Sequence, residues 1–184
     1  ESFPPMLIKA DRSALLVIDI QDKLAPAMNN IEGVVENTSI LMRAASRLKV
    51  PQLVSEQYPQ GLGATIEPLA ELGIGEVVAK VTFSCMADAD YGPRFKALGR
   101  AQAVIVGVEA HVCVLQTAMD LLEQNVQVFV VADATTSRSP DNHSMGLHRL
   151  SGAGAEIVTT EMVLFEWLGQ AGTPEFKDIS KFIK

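Results

Sequence analysis

The sequence predicts an α/β fold: a three-layer α/β/α sandwich around a mainly parallel, six-stranded sheet. Three observations carry that expectation. Six short runs of apolar and β-branched residues recur along the chain. They are continuous rather than alternating, as strands buried on both faces are. Between them lie stretches whose apolar residues recur at three- and four-residue spacings, the period of a helix lying on a sheet. Strand and helix alternate throughout, and that order closes most simply as a parallel sheet covered on both faces. Residues 1–184 are expected to form one domain, because the length suits a single sizeable core and no linker or repeat interrupts it.

The elements follow in order. Ala14-Leu15-Leu16-Val17-Ile18-Asp19 is an apolar run ending in an acid, read as the first buried strand. Ile31 to Lys49 places Val34, Val35, Ile40, Leu41, Ala44, Ala45 and Leu48 on one helical face, with Pro51 as a stop signal. Gln52 to Glu56 is a second strand, and the Tyr-Pro and Gly-Leu-Gly content of Gln57 to Thr65 reads as loop. A short helix is expected over Glu67 to Leu72, a third strand over Glu76 to Val81, and a loop over Thr82 to Asp90. Gly92 to Leu98 suits a helix, with Pro93 tolerated in its first turn.

Ala103 to Val108 is the fourth strand, and Gly107 marks the turn into the next helix. Val114, Thr117, Ala118, Leu121 and Leu122 give that helix its buried face. Gln127 to Ala132 is a fifth strand, and Asp133 to Pro140 is polar enough to read as loop. A helix over Asp141 to Ser151 has Ser139 as N-cap and Pro140 at its first position. Ala155 to Val158 is the sixth strand. Thr160 to Leu168 is a helix capped by Thr159 or Thr160, and Phe176 to Ile183 a short terminal one.

Composition narrows the function. Hydrophobic residues make up 48% of the chain and charged residues 20%, a globular balance. The formal charge is −7 with no basic cluster, which argues against nucleic acid or an anionic membrane surface as partner. No apolar run approaches the roughly 18–20 residues of a membrane-spanning helix. Glu1 to Asp11 has no long apolar segment, so no signal peptide is expected there, although the chain does not begin with Met. The two cysteines, Cys85 and Cys113, are too few for a disulfide framework and suit a reducing, cytoplasmic compartment. No His or Cys pair has zinc-site spacing, so no metal and no cofactor is expected.

Three polar residues close apolar runs: Asp19 after the first strand, Lys80 near the end of the third, and Cys113 after the fourth. In a parallel sheet these ends face the same side, where sites form. A thiol nucleophile needs a base for its proton, and a carboxylate beside a cation can serve. Cys113 would lie near the first turn of a helix, whose partial positive charge favours a thiolate. Each residue also has a plainer role: the acid as a helix cap, the lysine as a solvated cation, the cysteine as a buried apolar side chain.

Taken together, the pattern resembles the isochorismatase-like cysteine hydrolases, the superfamily that includes nicotinamidases and N-carbamoylsarcosine amidase. The matching pieces are Leu16-Val17-Ile18-Asp19-Ile20-Gln21-Asp22, Lys80-Val81-Thr82-Phe83-Ser84, Gly107 to Val114, and Val131-Ala132-Asp133-Ala134. The stretches Glu56 to Gly63 and Thr136 to Pro140 look closest to the isochorismatase-domain-containing subgroup. The resemblance implies that Cys113 attacks a carbonyl and forms a thioester, that Asp19 moves the proton, and that Lys80 bridges the two. It implies a cis bond at Val108–Glu109, an oxyanion hole from the backbone N–H groups of Glu109 and Cys113, and a homodimer or homotetramer. The Asp-x-His metal motif of nicotinamidases has no counterpart in Ser55-Glu56-Gln57-Tyr58, which argues against a catalytic metal and against nicotinamide. Keeping the cysteine favours cleavage of an amide-like C–N bond in a small molecule.

Gln21, Gln57 and Phe83 are candidates to line the substrate pocket; holding the loop is the preferred role of Gln21, and a solvated turn for Gln57 and core packing for Phe83 are the alternatives. His111 is two residues from the thiol and should point away from it, in a packing or interface role; Asp133, Ser137 and Arg138 should order the backbone behind the site, with contact to a neighbouring subunit as the alternative for Arg138; Cys85 reads as a spare thiol. The competing class is a fold relative that binds a small molecule or a protein with little turnover. A dinucleotide enzyme is disfavoured because no G-x-G-x-x-G follows the first strand. An aspartyl phosphatase is disfavoured because Gln21 stands where a second acid would be needed.

Overall fold

The computed structural model of the protein describes residues 3–73 and 75–184. The reading of the N-terminal stretch falls partly on Glu1 and Ser2, outside that range. All six strands form: β1 (Ser13–Ile18), β2 (Gln52–Gln57), β3 (Glu76–Lys80), β4 (Gln102–Val108), β5 (Gln127–Thr136) and β6 (Glu156–Val158). They make one sheet in the order β3-β2-β1-β4-β5-β6, and every pairing is parallel.

Successive residues of a strand face opposite sides of the sheet, and the core divides accordingly. Leu15, Val17, Val104, Val106, Phe129 and Val131 face one helical layer, formed by α1 (Ile31–Arg47), α7 (Thr160–Leu168) and α8 (Pro174–Ser180). Ala14, Leu16, Ile18, Ile105, Val128 and Val130 face the other, formed by α4 (Tyr91–Ala97), α5 (Leu115–Glu123) and α6 (Pro140–Ala153). The predicted three layers are therefore present. Ser139 and Thr159 cap α6 and α7, their side chains accepting from Asn142 N and Met162 N.

The differences from expectation have physical causes. The stretch after β2 contains a single-turn helix, α2 (Pro59–Leu62), entered through Tyr58 in a left-handed conformation. The expected Glu67 to Leu72 helix is α3 (Glu67–Ala70), and Cys85–Ala87 forms a 3₁₀ turn inside the predicted loop. β5 runs to Thr136 instead of ending at Ala132: its pairing with β4 jumps from Ile105↔Val130 to Gly107↔Thr135. The intervening residues bulge out, and Thr135 Oγ1 donates back to Val131 O at 3.0 Å. The polar Asp133 lies in that bulge, which is why the strand appears to stop there.

One glycine fixes the centre of the sheet. Gly107 has φ +120°, and a Cβ on it would meet Ile18 O at 2.1 Å and Ile18 N at 2.7 Å. Only a residue without a side chain lets β4 lie against the end of β1. That is also where the strand order reverses, with β2 and β3 to one side and β5 and β6 to the other. Open α/β sheets place their sites in the crevice beyond the carboxyl ends of the strands at such a point.

Candidate active site

Asp19 and Cys113 leave the sheet at this reversal. Asp19 directly follows β1, has a left-handed backbone (φ 54°), and is 1% exposed. Cys113 lies in a π-helical turn, Ala110–Val114, between β4 and α5, and is 6% exposed. Such turns often occur at functional sites because they re-aim side chains. Lys80 ends β3, two strands away from β1, and is 3% exposed.

The three expected residues meet. Lys80 Nζ donates to Asp19 Oδ2 at 3.1 Å and to Cys113 Sγ at 3.6 Å. The same ammonium contacts Gln57 Oε1 at 2.6 Å, Thr82 O at 2.9 Å and Phe83 O at 3.0 Å. The second carboxylate oxygen, Asp19 Oδ1, accepts from Ser55 Oγ at 2.8 Å. Ser55 O in turn accepts from Asp19 N at 3.1 Å.

Burial governs the electrostatics. The Cys113 thiol is pushed well above the usual thiol range, first by burial and then by the Asp19 carboxylate; Lys80 opposes this without reversing it. Burial and the neighbouring carboxylate thus act against the thiolate that a helix end would favour. Burial on its own would lower the Lys80 ammonium, but the attraction of the Asp19 carboxylate holds it above the ordinary lysine value. The arrangement is a thiol disfavoured as thiolate beside an internally balanced ion pair. The carboxylate and the ammonium both lie beside the sulfur, an arrangement of the kind that can activate a thiol nucleophile.

The remaining expectations divide. Gln21 is fully buried, and its amide is committed to the backbone: Nε2 donates to Gln57 O and Gly63 O, and Oε1 accepts from Gln57 N. It braces the loops rather than lining a pocket. Gln57 is committed as well, accepting from Lys80 and donating through Nε2 to Val81 O at 2.9 Å. It holds the lysine, so the pocket role expected of its side-chain amide gives way to a positioning one. Phe83 is 53% exposed at the loop whose carbonyls hold Lys80, and it is free to contact a ligand.

Close to Cys113 in the chain, His111 Nδ1 lies 2.9 Å from Ser137 Oγ. Arg138 donates through N and Nε to Glu109 Oε1. Asp133 Oδ1 accepts from Thr160 N and Oγ1 at 2.8 Å and so anchors the start of α7. The Val108–Glu109 peptide bond is cis. Glu109 O accepts from Val112 N and Val114 N, the residues on either side of Cys113. Cys85 is fully buried, and burial raises its thiol too. Among the described residues, no three His, Cys, Asp or Glu side chains converge as a metal site.

Sequence reasoning missed Ser55. Its signal was a polar residue two positions from Leu53 on the same strand face, the face that also carries the core around Cys113.

Known proteins of similar sequence and structure point to one family. The profile of the isochorismatase domain matches residues 13–162. The chain is 39% identical over 172 residues to isochorismatase domain-containing protein 2 of Danio rerio, covering 93% of this chain and 86% of the relative. It is 35% identical over 177 residues to the secreted isochorismatase effector Isc1 of Phytophthora sojae (strain P6497), covering 94% and 84%. The solved structure of MAR1 ribonuclease from Caenorhabditis elegans superposes with a TM-score of 0.90 at 37% identity, covering 97% of this chain and 92% of that one.

Proposed function

The chain belongs to the isochorismatase family, and from that membership we propose that it is a cysteine hydrolase cleaving an amide-like C–N bond in a small molecule. The observation that carries the reading is the convergence of Asp19, Lys80 and Cys113: one ammonium within 3.1 Å of the carboxylate and 3.6 Å of the sulfur, all three buried.

In the proposed reaction the Cys113 sulfur attacks the carbonyl carbon while its proton passes to Asp19. The carbonyl oxygen gains negative charge, which the Glu109 and Cys113 N–H groups would receive as an oxyanion hole. Asp19 then gives the proton to the leaving nitrogen, the C–N bond breaks, and a thioester remains on Cys113. Water adds to the thioester with Asp19 as base, releasing the acid and restoring the thiol. Lys80 keeps the charge of the site balanced throughout. Phe83 would form an apolar wall for the substrate.

The two unpaired cysteines favour a cytoplasmic location for this chain, although one relative is described as secreted. A homodimer or homotetramer accompanies the reading. β3 is an edge strand, and the exposed Val77, with Val81 beyond its end, gives a second copy an apolar surface to cover. Light scattering on the purified protein tests the assembly.

The function is tested by screening small amides, ureides and carbamoyl compounds with ammonia detection. Turnover by the wild type and none by Cys113→Ala is the expected result. Turnover that survives Cys113→Ala rejects covalent catalysis, and a folded wild type that binds but never turns over returns the chain to the binding class.

A further inference from the structure

Asp19 is gripped from two sides, and only one grip is directional. Lys80 Nζ faces five acceptors: Asp19 Oδ2, Gln57 Oε1, Thr82 O, Phe83 O and Cys113 Sγ. An ammonium has only three protons. It therefore acts on Asp19 as a shared point charge and does not fix the plane of the carboxylate. Ser55 differs. It pairs with Ile18 in the sheet, its carbonyl accepts the Asp19 N–H at 3.1 Å, and its hydroxyl donates to Asp19 Oδ1 at 2.8 Å. It is fully buried, so no water competes for the hydroxyl. One residue thus ties both the backbone and the side chain of Asp19.

We infer that Ser55 is a positioning residue: its hydroxyl sets the orientation of the Asp19 carboxylate and thereby the rate at which Asp19 takes the Cys113 proton. The inference rests on the proposed roles of Asp19 and Cys113. In the step concerned, the S–H bond breaks, an O–H bond forms on Asp19, and the sulfur's electron pair goes to the electrophile. Ser55 neither gives nor takes a proton. A hydrogen bond to a charged group is among the stronger ones in proteins, so losing it should slow that step about tenfold to a hundredfold.

The test needs no natural substrate. Iodoacetamide alkylates Cys113 with loss of iodide, and mass spectrometry follows the adduct at fixed pH. Ser55→Ala should slow alkylation by that factor while the protein stays folded by circular dichroism. Ser55→Thr and Ser55→Val have side chains of nearly equal size and differ in the hydroxyl; Thr should restore the rate and Val should not. Equal rates for Thr and Val, or an undiminished rate in folded Ser55→Ala, overturn the inference.

If wild-type Cys113 is inert, the hydrolase reading fails first and the inference is judged by a second measurement. The ¹³C resonance of the Asp19 carboxylate should move in Ser55→Val relative to wild type and return in Ser55→Thr. A resonance that does not respond overturns the inference as well.

Discussion

The Asp19 carboxylate and the Lys80 ammonium lie 3.1 Å apart with both side chains sealed from water, although β2 separates the strands that carry them. Removing one partner of such a pair strands the other charge in the core. Asp19→Asn and Lys80→Met should each cost about 3–5 kcal/mol in folding stability. The double variant leaves no stranded charge and should cost less than the sum. Urea denaturation of the three variants measures this; simple additivity would mean that the two charges do not feel each other.

Stability should fall at alkaline pH. Burial first of all raises Cys113, Cys85 and Tyr91, and Lys80 is held above its ordinary value against burial by Asp19. The unfolded chain gives up these protons from the ordinary thiol value of 9.0 upward, while the native protein keeps them. The unfolded state then binds fewer protons, so native stability is intact below that value and declines above it. Each retained proton steepens the decline by up to about 1.4 kcal/mol per pH unit. Urea midpoints at about pH 8 and about pH 10 should show the loss, and Cys113→Ala should show a smaller one. Equal losses would mean that the thiol is not shielded as described.

The fold and the catalytic candidates were legible because each left a one-dimensional mark. Asp19, Lys80 and Cys113 interrupt apolar runs, and burying a charge at a strand end is costly without a purpose. Ser55 left almost no mark, since a serine in a strand is unremarkable until the neighbouring chain brings Asp19 to it. Gln21 and Gln57 were placed near the site with their tasks open, because an amide does not announce whether it will meet a ligand, a lysine or a backbone. Thr135 and Thr136 rejoin β5 only after a bulge, and the polar Asp133 within it looks like a loop.

The two thiols should differ in native reactivity. Cys113 is 6% exposed at the site, whereas Cys85 is 0% exposed and its backbone is tied to Thr117 Oγ1 at 2.9 Å. A small alkylating reagent should modify one cysteine per native chain and two in urea. Peptide mapping should place the native adduct on Cys113, and Cys113→Ser should leave the native protein unmodified. Native modification of Cys85 would contradict the packing around it.

Gly107 and Gly152 should respond oppositely to the same substitution. A methyl at position 107 would sit 2.1 Å from Ile18 O, so Gly107→Ala must push β4 from β1. That places it among the exceptional losses of more than about 4 kcal/mol, or in the insoluble fraction on expression. Gly152 lies in α6 with nothing within 4 Å of the added carbon. Gly152→Ala should stabilise by about 0.4–1 kcal/mol, because alanine loses less freedom on entering a helix. Thermal denaturation distinguishes the two signs.

RNA should not be a substrate, although a structure superposing at a TM-score of 0.90 is described as a ribonuclease. Binding of a nucleic-acid backbone is driven by cations that displace its counterions. This chain carries a formal charge of −7. Lys80 is buried against Asp19 and backbone carbonyls, and Arg138 donates to Glu109. Lys80 is spent inside the protein, and the exposed Arg138 already has Glu109 as its counter-charge. Labelled single-stranded RNA incubated with purified wild type and with Cys113→Ala should stay equally intact at low salt, where any electrostatic attraction would be strongest. Cleavage by the wild type that disappears in Cys113→Ala would show that the thiol acts on a phosphodiester, and the amide reading would have to be abandoned.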